Sequence, residues 1–154
     1  MTTTATEQPG TIEGELKIPY RWTAGRAAGR FLQSLRDDAV ILGARCGQCG
    51  KVWAPPPECC AVCRHEFADE DFIPVGETGT VTTFTRVETP LFGRPAEPPY
   101  ATVAVRLEGA DTDLIHLVYD PDTVAALRTG LPVQAVWSRT RLGSILDIDQ
   151  FRKV

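Results

Sequence analysis

The sequence predicts a mainly β chain with one N-terminal helix, a four-cysteine metal ribbon and, behind it, a five-stranded OB-fold barrel. Three observations predict this. Cys46-Gly47-Gln48-Cys49 and Cys60-Ala61-Val62-Cys63 are two Cys-x-x-Cys pairs ten residues apart. From Gly79 onward the apolar residues recur with period two in five short runs, which is the signature of strands with one buried face. A short helical stretch separates the third run from the fourth, which is the element order of an OB-fold.

The cysteines come first because the rest of the chain is arranged about them. A tetrahedral zinc ion takes four thiolates, and each Cys-x-x-Cys makes a tight turn that presents two sulfurs to one ion. Gly50 closes the first turn and suits a left-handed backbone there. The ten-residue spacer has room for a small hairpin, with Val52-Trp53 as its outgoing strand and Pro55-Pro56-Pro57 stiffening the return. The expected ligands are Cys46, Cys49, Cys60 and Cys63, holding a structural Zn(2+). Four thiolates also suit iron. Cys59 and His65 are rival ligands, but only Cys60 gives the two-residue spacing to Cys63. With four cysteines committed, no open metal position is left for chemistry.

The 154 residues suit one domain or a small domain with an appendage. A hydrophobic share of 43% and a charged share of 23% are ordinary for a globular protein, so a real core is affordable. The net charge of −4 argues against a general nucleic-acid binder, which carries a basic face. No run of 18 apolar residues is present, so no membrane span is expected. The first residues show no basic stretch followed by an apolar one, and an odd cysteine remains over. The expectation is therefore a cytoplasmic protein with metal-bound rather than oxidised cysteines.

Residues 1–17 are polar and read as a flexible tail. Residues 18–44 hold the helix and a lead strand. Ile18-Pro19-Tyr20-Arg21-Trp22 is extended, Thr23 can cap a helix to about Asp37, and Phe31, Leu32 and Leu35 give that helix an apolar stripe. Gly25 and Gly29 each cost about 1 kcal/mol relative to alanine, so the helix needs packing to hold it. Gly25, Ala28 and Gly29 also make a surface another backbone can approach closely. One reading seals the chain's own core; the other docks a partner. Ala39 to Ala44 is a short strand feeding the ribbon, which spans 45–66, and Arg64 to Asp71 is a polar connector. The OB-fold domain is assigned to 67–154. Its expected strands are Gly79–Thr89, with Val81, Thr83, Thr85 and Val87 on one face, then Tyr100–Leu107, Asp113–Tyr119, Val133–Ser138 and Ser144–Phe151. Asp120-Pro121 starts the helix between the third and fourth, and Gly130 and Pro132 end that connection.

The combination resembles a small family of zinc-ribbon/OB-fold acyl-CoA-associated proteins. The residues carrying the resemblance are Gly29-Arg30-Phe31-Leu32, Leu35-Arg36, Gly43 through Val52 with both cysteines of the first turn, Pro55-Pro56, Cys60-Ala61-Val62-Cys63, Gly76-Glu77-Thr78-Gly79-Thr80-Val81, Pro98-Pro99-Tyr100 and Gly143 through Ile148. It covers the chain from about residue 18 to the end. Pro57 stands where the family usually has arginine, and Arg64 where a glycine would follow the second turn. The resemblance implies a rubredoxin-like four-cysteine ribbon with structural zinc, followed by the OB barrel. It implies a non-catalytic subunit, assembled with a thiolase-like enzyme as a heterotetramer or larger. Such complexes cleave or condense carbon–carbon bonds on acyl-CoA in degradation of aromatic, steroid or fatty-acyl substrates, with the coenzyme A thioester as their shared ligand. Under that reading the helix region would meet the partner or CoA. Arg21, Arg26 and Arg30 would attract phosphates or carboxylates, Trp22 and Phe31 would anchor the contact, and Gly29 would allow close approach.

A catalytic role for the chain alone finds little support in its residues. Thiolase-type chemistry needs a nucleophilic cysteine, a general base and an oxyanion hole. Four of five cysteines go to metal; His65 and His116 are the two histidines, and His116 reads as a satisfied barrel residue. Asp147 and Asp149 read as a solvated strand face. Two other functions compete: a single-stranded nucleic-acid binder on the OB surface, for which Phe84, Arg86, Tyr100 and Arg106 are few, and a free-standing acyl-CoA binder. The expectation is no nucleic-acid and no membrane partner.

Overall fold

The computed structural model describes Gly10, residues 18–89 and residues 97–154. The expected tail 1–17, apart from Gly10, and most of the Pro90–Pro99 loop fall outside these residues. Helix α1 spans Arg26–Asp38 and buries Ala27, Phe31, Ser34 and Leu35, one stripe at helical spacing. It begins two residues later than a cap at Thr23 would place it. The N-cap is Gly25, with φ +81° and no capping side chain. Its C-terminal end turns through Ala39, which is left-handed.

Strands β1 (Leu42–Arg45), β2 (Val52–Trp53) and β3 (Phe72–Pro74) form an antiparallel sheet in the order β2-β1-β3. The β1–β2 hairpin is the expected ribbon. β3 is the surprise: a three-residue strand directly after the Arg64–Asp71 connector, where no strand is expected, pairing Ala44 with Phe72 and Leu42 with Pro74. Three residues are too few to show a period, so the sequence carries no sign of it.

The second sheet holds β4 (Thr78–Val87), β5 (Tyr100–Leu107), β6 (Asp113–Val118), β7 (Pro132–Trp137) and β8 (Ile148–Lys153), in the order β6-β5-β4-β7-β8, every pair antiparallel. This is the expected OB-like half-barrel. Helix α2 (Pro121–Ala126) sits between β6 and β7, capped by Asp120, whose carboxylate accepts from the Thr123 N–H at 2.9 Å. A register break between Val81 and Thr83 changes the expected facing of β4. Val81 lies in the core, but beyond the bulge it is Phe84 that packs inward, while Thr83 and Thr85 are exposed. One inserted residue flips every later side chain to the other face. The last run also starts later than expected, because residues Ile145–Asp147 form a 3₁₀ turn before β8.

The sheet's two edges, β6 and β8, meet without a main-chain ladder. The His116 ring, 5% exposed, lies with Nε2 2.6 Å from the Ile148 carbonyl, and the Gln150 side-chain oxygen accepts from the N–H groups of Tyr119 and Asp120. Side chains therefore close the seam. Burial holds His116 below its ordinary pKa, only partly opposed by the Ile148 carbonyl, so the neutral ring donates through Nε2–H. The core fills the concave side with Val81, Val103, Val105, Leu107, Ile148 and Phe151, among others, and α1 contributes Phe31 and Leu35 to the same cluster. Among the described residues no helix is long and apolar enough to cross a membrane.

The ribbon is fastened to the barrel by the β5–β6 turn. The Asp111 carboxylate accepts from the Val52 N–H and its own N–H donates to the Val52 carbonyl, both at 2.8 Å. The Thr112 hydroxyl oxygen lies 2.8 Å from the Ala54 N–H and 3.0 Å from its carbonyl. These four bonds make the turn an extra partner for β2.

Candidate metal centre and the surface around it

Cys46, Cys49, Cys60 and Cys63 bring one sulfur each to within 4.8 Å of one another. The backbone explains why. In the first turn the Gly50 N–H donates to the Cys46 carbonyl and the Cys46 N–H to the Lys51 carbonyl, both at 2.8 Å. The second turn repeats the pattern: Arg64 N–H to the Cys60 carbonyl, and Cys60 N–H to the His65 carbonyl, again at 2.8 Å. Each turn leaves through a left-handed residue, Gly50 at φ +74° and Arg64 at φ +59°. Arg64 takes a conformation glycine would adopt without strain, which costs an L-residue about 1–2 kcal/mol.

Four thiols so close cannot all ionise unaided. Burial opposes ionisation of Cys60, but the N–H groups of Cys63 and Val62 and the neighbouring sulfurs outweigh it and pull its pKa to about 6. Cys63 is pushed up to about 12 by the adjacent Cys49 thiol, by burial and by the other two sulfurs. One thiolate is ready and a second is strongly resisted, the state that a bound cation relieves. The donor set fits a metal ion such as zinc, which would stabilise four thiolates and hold both turns together. The ribbon's own core is small: Ala44, Cys46, Cys60 and Phe67, with Trp53, Cys63 and Phe72 against them.

The rival ligands stand apart. Cys59 is exposed, and its backbone bridges to Glu66. His65 points its Nε2 at Asp71, 3.4 Å away, and sets its ring edge-on to Phe67.

The helix region brings together only part of the expected partner surface. Trp22 is 74% exposed and stacks on Tyr20 with ring centroids 4.8 Å apart. Arg21 is exposed beside them. Phe31 is 4% exposed and lies in the main core, so it is not available at the surface. Arg26 and Arg30 both reach Asp69 and both lie over the Phe72 ring, and Arg26 also donates to the Phe67 carbonyl. Both guanidiniums are thus partly engaged by the ribbon. Gly29 has open space: a Cβ built there meets nothing within 4 Å.

Three functional supports were not legible beforehand. Glu58, just before the second cysteine pair, places its carboxylate oxygen 3.0 Å from the Ala27 N–H and so caps α1 from a distance. Asp69 anchors two arginines of α1. Asp147 is not a solvated strand residue: it is 2% exposed, and its carboxylate accepts the N–H groups of Leu142, Gly143 and Ser144. Long-range caps leave no local pattern; Ser144-x-x-Asp147 is a capping-box spacing that could have signalled the last.

Residues 72–138 match the family model for the ChsH2 C-terminal OB-fold domain. Two solved structures share the fold. One, described as an Ltp2-ChsH2(DUF35) aldolase, is 23% identical with a TM-score of 0.59, over 80% of this chain and 92% of that one. The other, a DUF35-family protein of unknown function from Sulfolobus solfataricus, is 18% identical with a TM-score of 0.58, over 73% and 78%. Residues 72–138 are thus similar to the ChsH2 C-terminal OB-fold domain, and they are preceded by a four-cysteine cluster consistent with a zinc ribbon.

Proposed function

We propose that this chain is a non-catalytic, zinc-holding subunit of a thiolase-like enzyme complex that cleaves or condenses carbon–carbon bonds on acyl-CoA. The observation that carries the reading is the match of the barrel to the ChsH2 OB-fold domain. The solved neighbour described as an Ltp2-ChsH2(DUF35) aldolase gives the class of partner: an aldolase or thiolase-like chain. The residues agree with an accessory role. Among the described residues the four converging cysteines would be taken up by a closed metal site, and His116 is buried and bonded within the barrel seam. The partner chain supplies nucleophile and base. This chain supplies position, through the arm of Tyr20, Arg21 and Trp22 and the α1 face carrying Gly29, with Arg26 and Arg30 at its margin.

The side chains that would favour a nucleic-acid surface are occupied. Tyr100 is 1% exposed, Phe84 packs on the core, Arg106 is paired with Asp113 at 2.5 Å and Arg86 with Glu88 at 3.5 Å. Base stacking needs open rings. The test of the proposal is co-purification from the native host with metal analysis. A stable complex with a thiolase-like chain, active on an acyl-CoA only when both are present, is the expected result. Acyl-CoA cleavage by the purified chain alone, or its elution without any such partner, overturns the reading.

A further inference from the structure

The start of α1 is poorly made by its own sequence. Its N-cap is a glycine with no side chain to offer, its first turn holds no acidic residue, and Arg26 and Arg30 put positive charge where the helix dipole is already positive. Gly29 weakens it again. Every missing support comes from the ribbon. Glu58 caps the Ala27 N–H, Asp69 pairs with Arg26 and Arg30, and the Phe72 ring lies under both guanidiniums at 5.7 and 5.2 Å. Gly25 fits this arrangement twice: its φ is +81°, and a Cβ there would stand 2.7 Å from the Glu58 carboxylate oxygen. The second half of α1 is held otherwise, by Phe31 and Leu35 in the barrel core.

Glu58 lies two residues before the ligand Cys60, and Phe67, whose carbonyl receives Arg26, belongs to the small core around Cys46 and Cys60. We infer that metal binding at the four cysteines sets the first turn of α1, and with it the direction of the exposed Tyr20–Trp22 arm, through Glu58 and Asp69. With metal bound, Glu58 is fixed and the arm is presented in one orientation. Without metal, residues 18–30 come free while the barrel and the rest of α1 stay folded. The ribbon is then a metal-dependent clamp on the arm. This goes beyond the partner reading and does not depend on it.

Hydrogen exchange of the full chain, zinc-loaded and after stripping by a strong chelator, tests the inference. Exchange over residues 27–30 should rise about tenfold or more on stripping, while β5 and β8 change little. A Glu58→Ala variant should keep its metal, read by metal analysis and by cobalt absorption, yet show the same faster exchange at 27–30 and a more mobile Trp22 by fluorescence anisotropy. Gly25→Ala should do likewise, because its Cβ displaces Glu58. Unchanged protection of 27–30 in the stripped protein overturns the inference. So does an equal rise in β5 and β8, which would make the metal a support of the whole chain. A metal-bound Glu58→Ala protein indistinguishable from the parent also overturns it.

Discussion

Replacing Cys60 by serine is the most decisive perturbation of the metal centre. Cys60 is fully buried in the ribbon, and the N–H groups of Cys63 and Val62 with the neighbouring sulfurs lower its pKa to about 6 against the opposing effect of burial. Among the described residues, the buried apolar side chains of the ribbon apart from cysteines are Ala44, Val52, Ala54 and Phe67, and their burial contributes about 7 kcal/mol at most. A structural zinc contributes about 10–16 kcal/mol in small peptides at neutral pH. The metal contribution therefore exceeds the apolar one, and the ribbon should not survive its loss. Cys60→Ser should drop the metal content from one ion per chain to far below one and add an early unfolding step, with the barrel melting later. Cys59→Ser should change neither, because Cys59 is exposed and outside the four-sulfur group. Metal analysis and thermal unfolding of both variants decide the matter. If Cys59→Ser loses the ion, or Cys60→Ser keeps it with unchanged melting, the ligand set is wrong.

Three further outcomes follow from the same structure. His116 is held below its ordinary pKa of 6.5 by burial, so the unfolded chain binds its proton first as pH falls; the stability it contributes is complete above about 6.5 and is lost as pH drops toward the lowered folded value. The urea midpoint should decline between about pH 7 and 5, and His116→Gln, which keeps an N–H donor, should flatten that decline. Asp147→Asn turns an amide donor against three N–H groups that now point at carboxylate oxygens, and should cost about 2–3 kcal/mol in urea unfolding. Arg64→Gly relieves the left-handed strain of the second turn at some cost in chain entropy, and should stabilise the metal-loaded protein by about 0.5 kcal/mol, a small rise in Tm with metal content unchanged.

The parts legible in the sequence are those whose cause is local. Cys-x-x-Cys spacing fixes which sulfurs converge, alternation marks β5 and β6 nearly to the residue, and Asp120-Pro121 marks the start of α2. The parts that escaped are those whose cause lies elsewhere in the chain. α1 does not start at Thr23, despite a good capping residue, because Glu58, thirty-one positions on, caps Ala27 instead. β3 exists because β1 offers it an edge, not because Phe72-Ile73-Pro74 favours a strand. The facing of β4 past Val81 depends on a bulge that no alternation rule contains. Phe31 illustrates the ambiguity of an apolar helix residue: an interface anchor and a core residue look the same until the packing is known, and here it is core.

The two helix glycines then separate into one explained by the fold and one not. Gly25 is required by its positive φ and by the nearness of Glu58. Gly29 is mid-helix with an ordinary helical backbone, and a side chain there would meet nothing within 4 Å. A glycine at such a place forgoes about 1 kcal/mol of helix stability relative to alanine and returns nothing to this chain's own packing. An approaching partner backbone is what would make its smallness useful. Gly29→Trp is therefore a test that does not confuse folding with docking. In the isolated chain it should unfold at the same urea concentration as the parent or slightly higher, because tryptophan is the better helix former. In a pull-down against the proposed thiolase-like partner it should weaken capture by at least about tenfold, as a bulky side chain forces a close-packed interface apart. Intact folding with undiminished capture would remove α1 from the interface. Lost folding would mean that Gly29 serves the chain's own core after all.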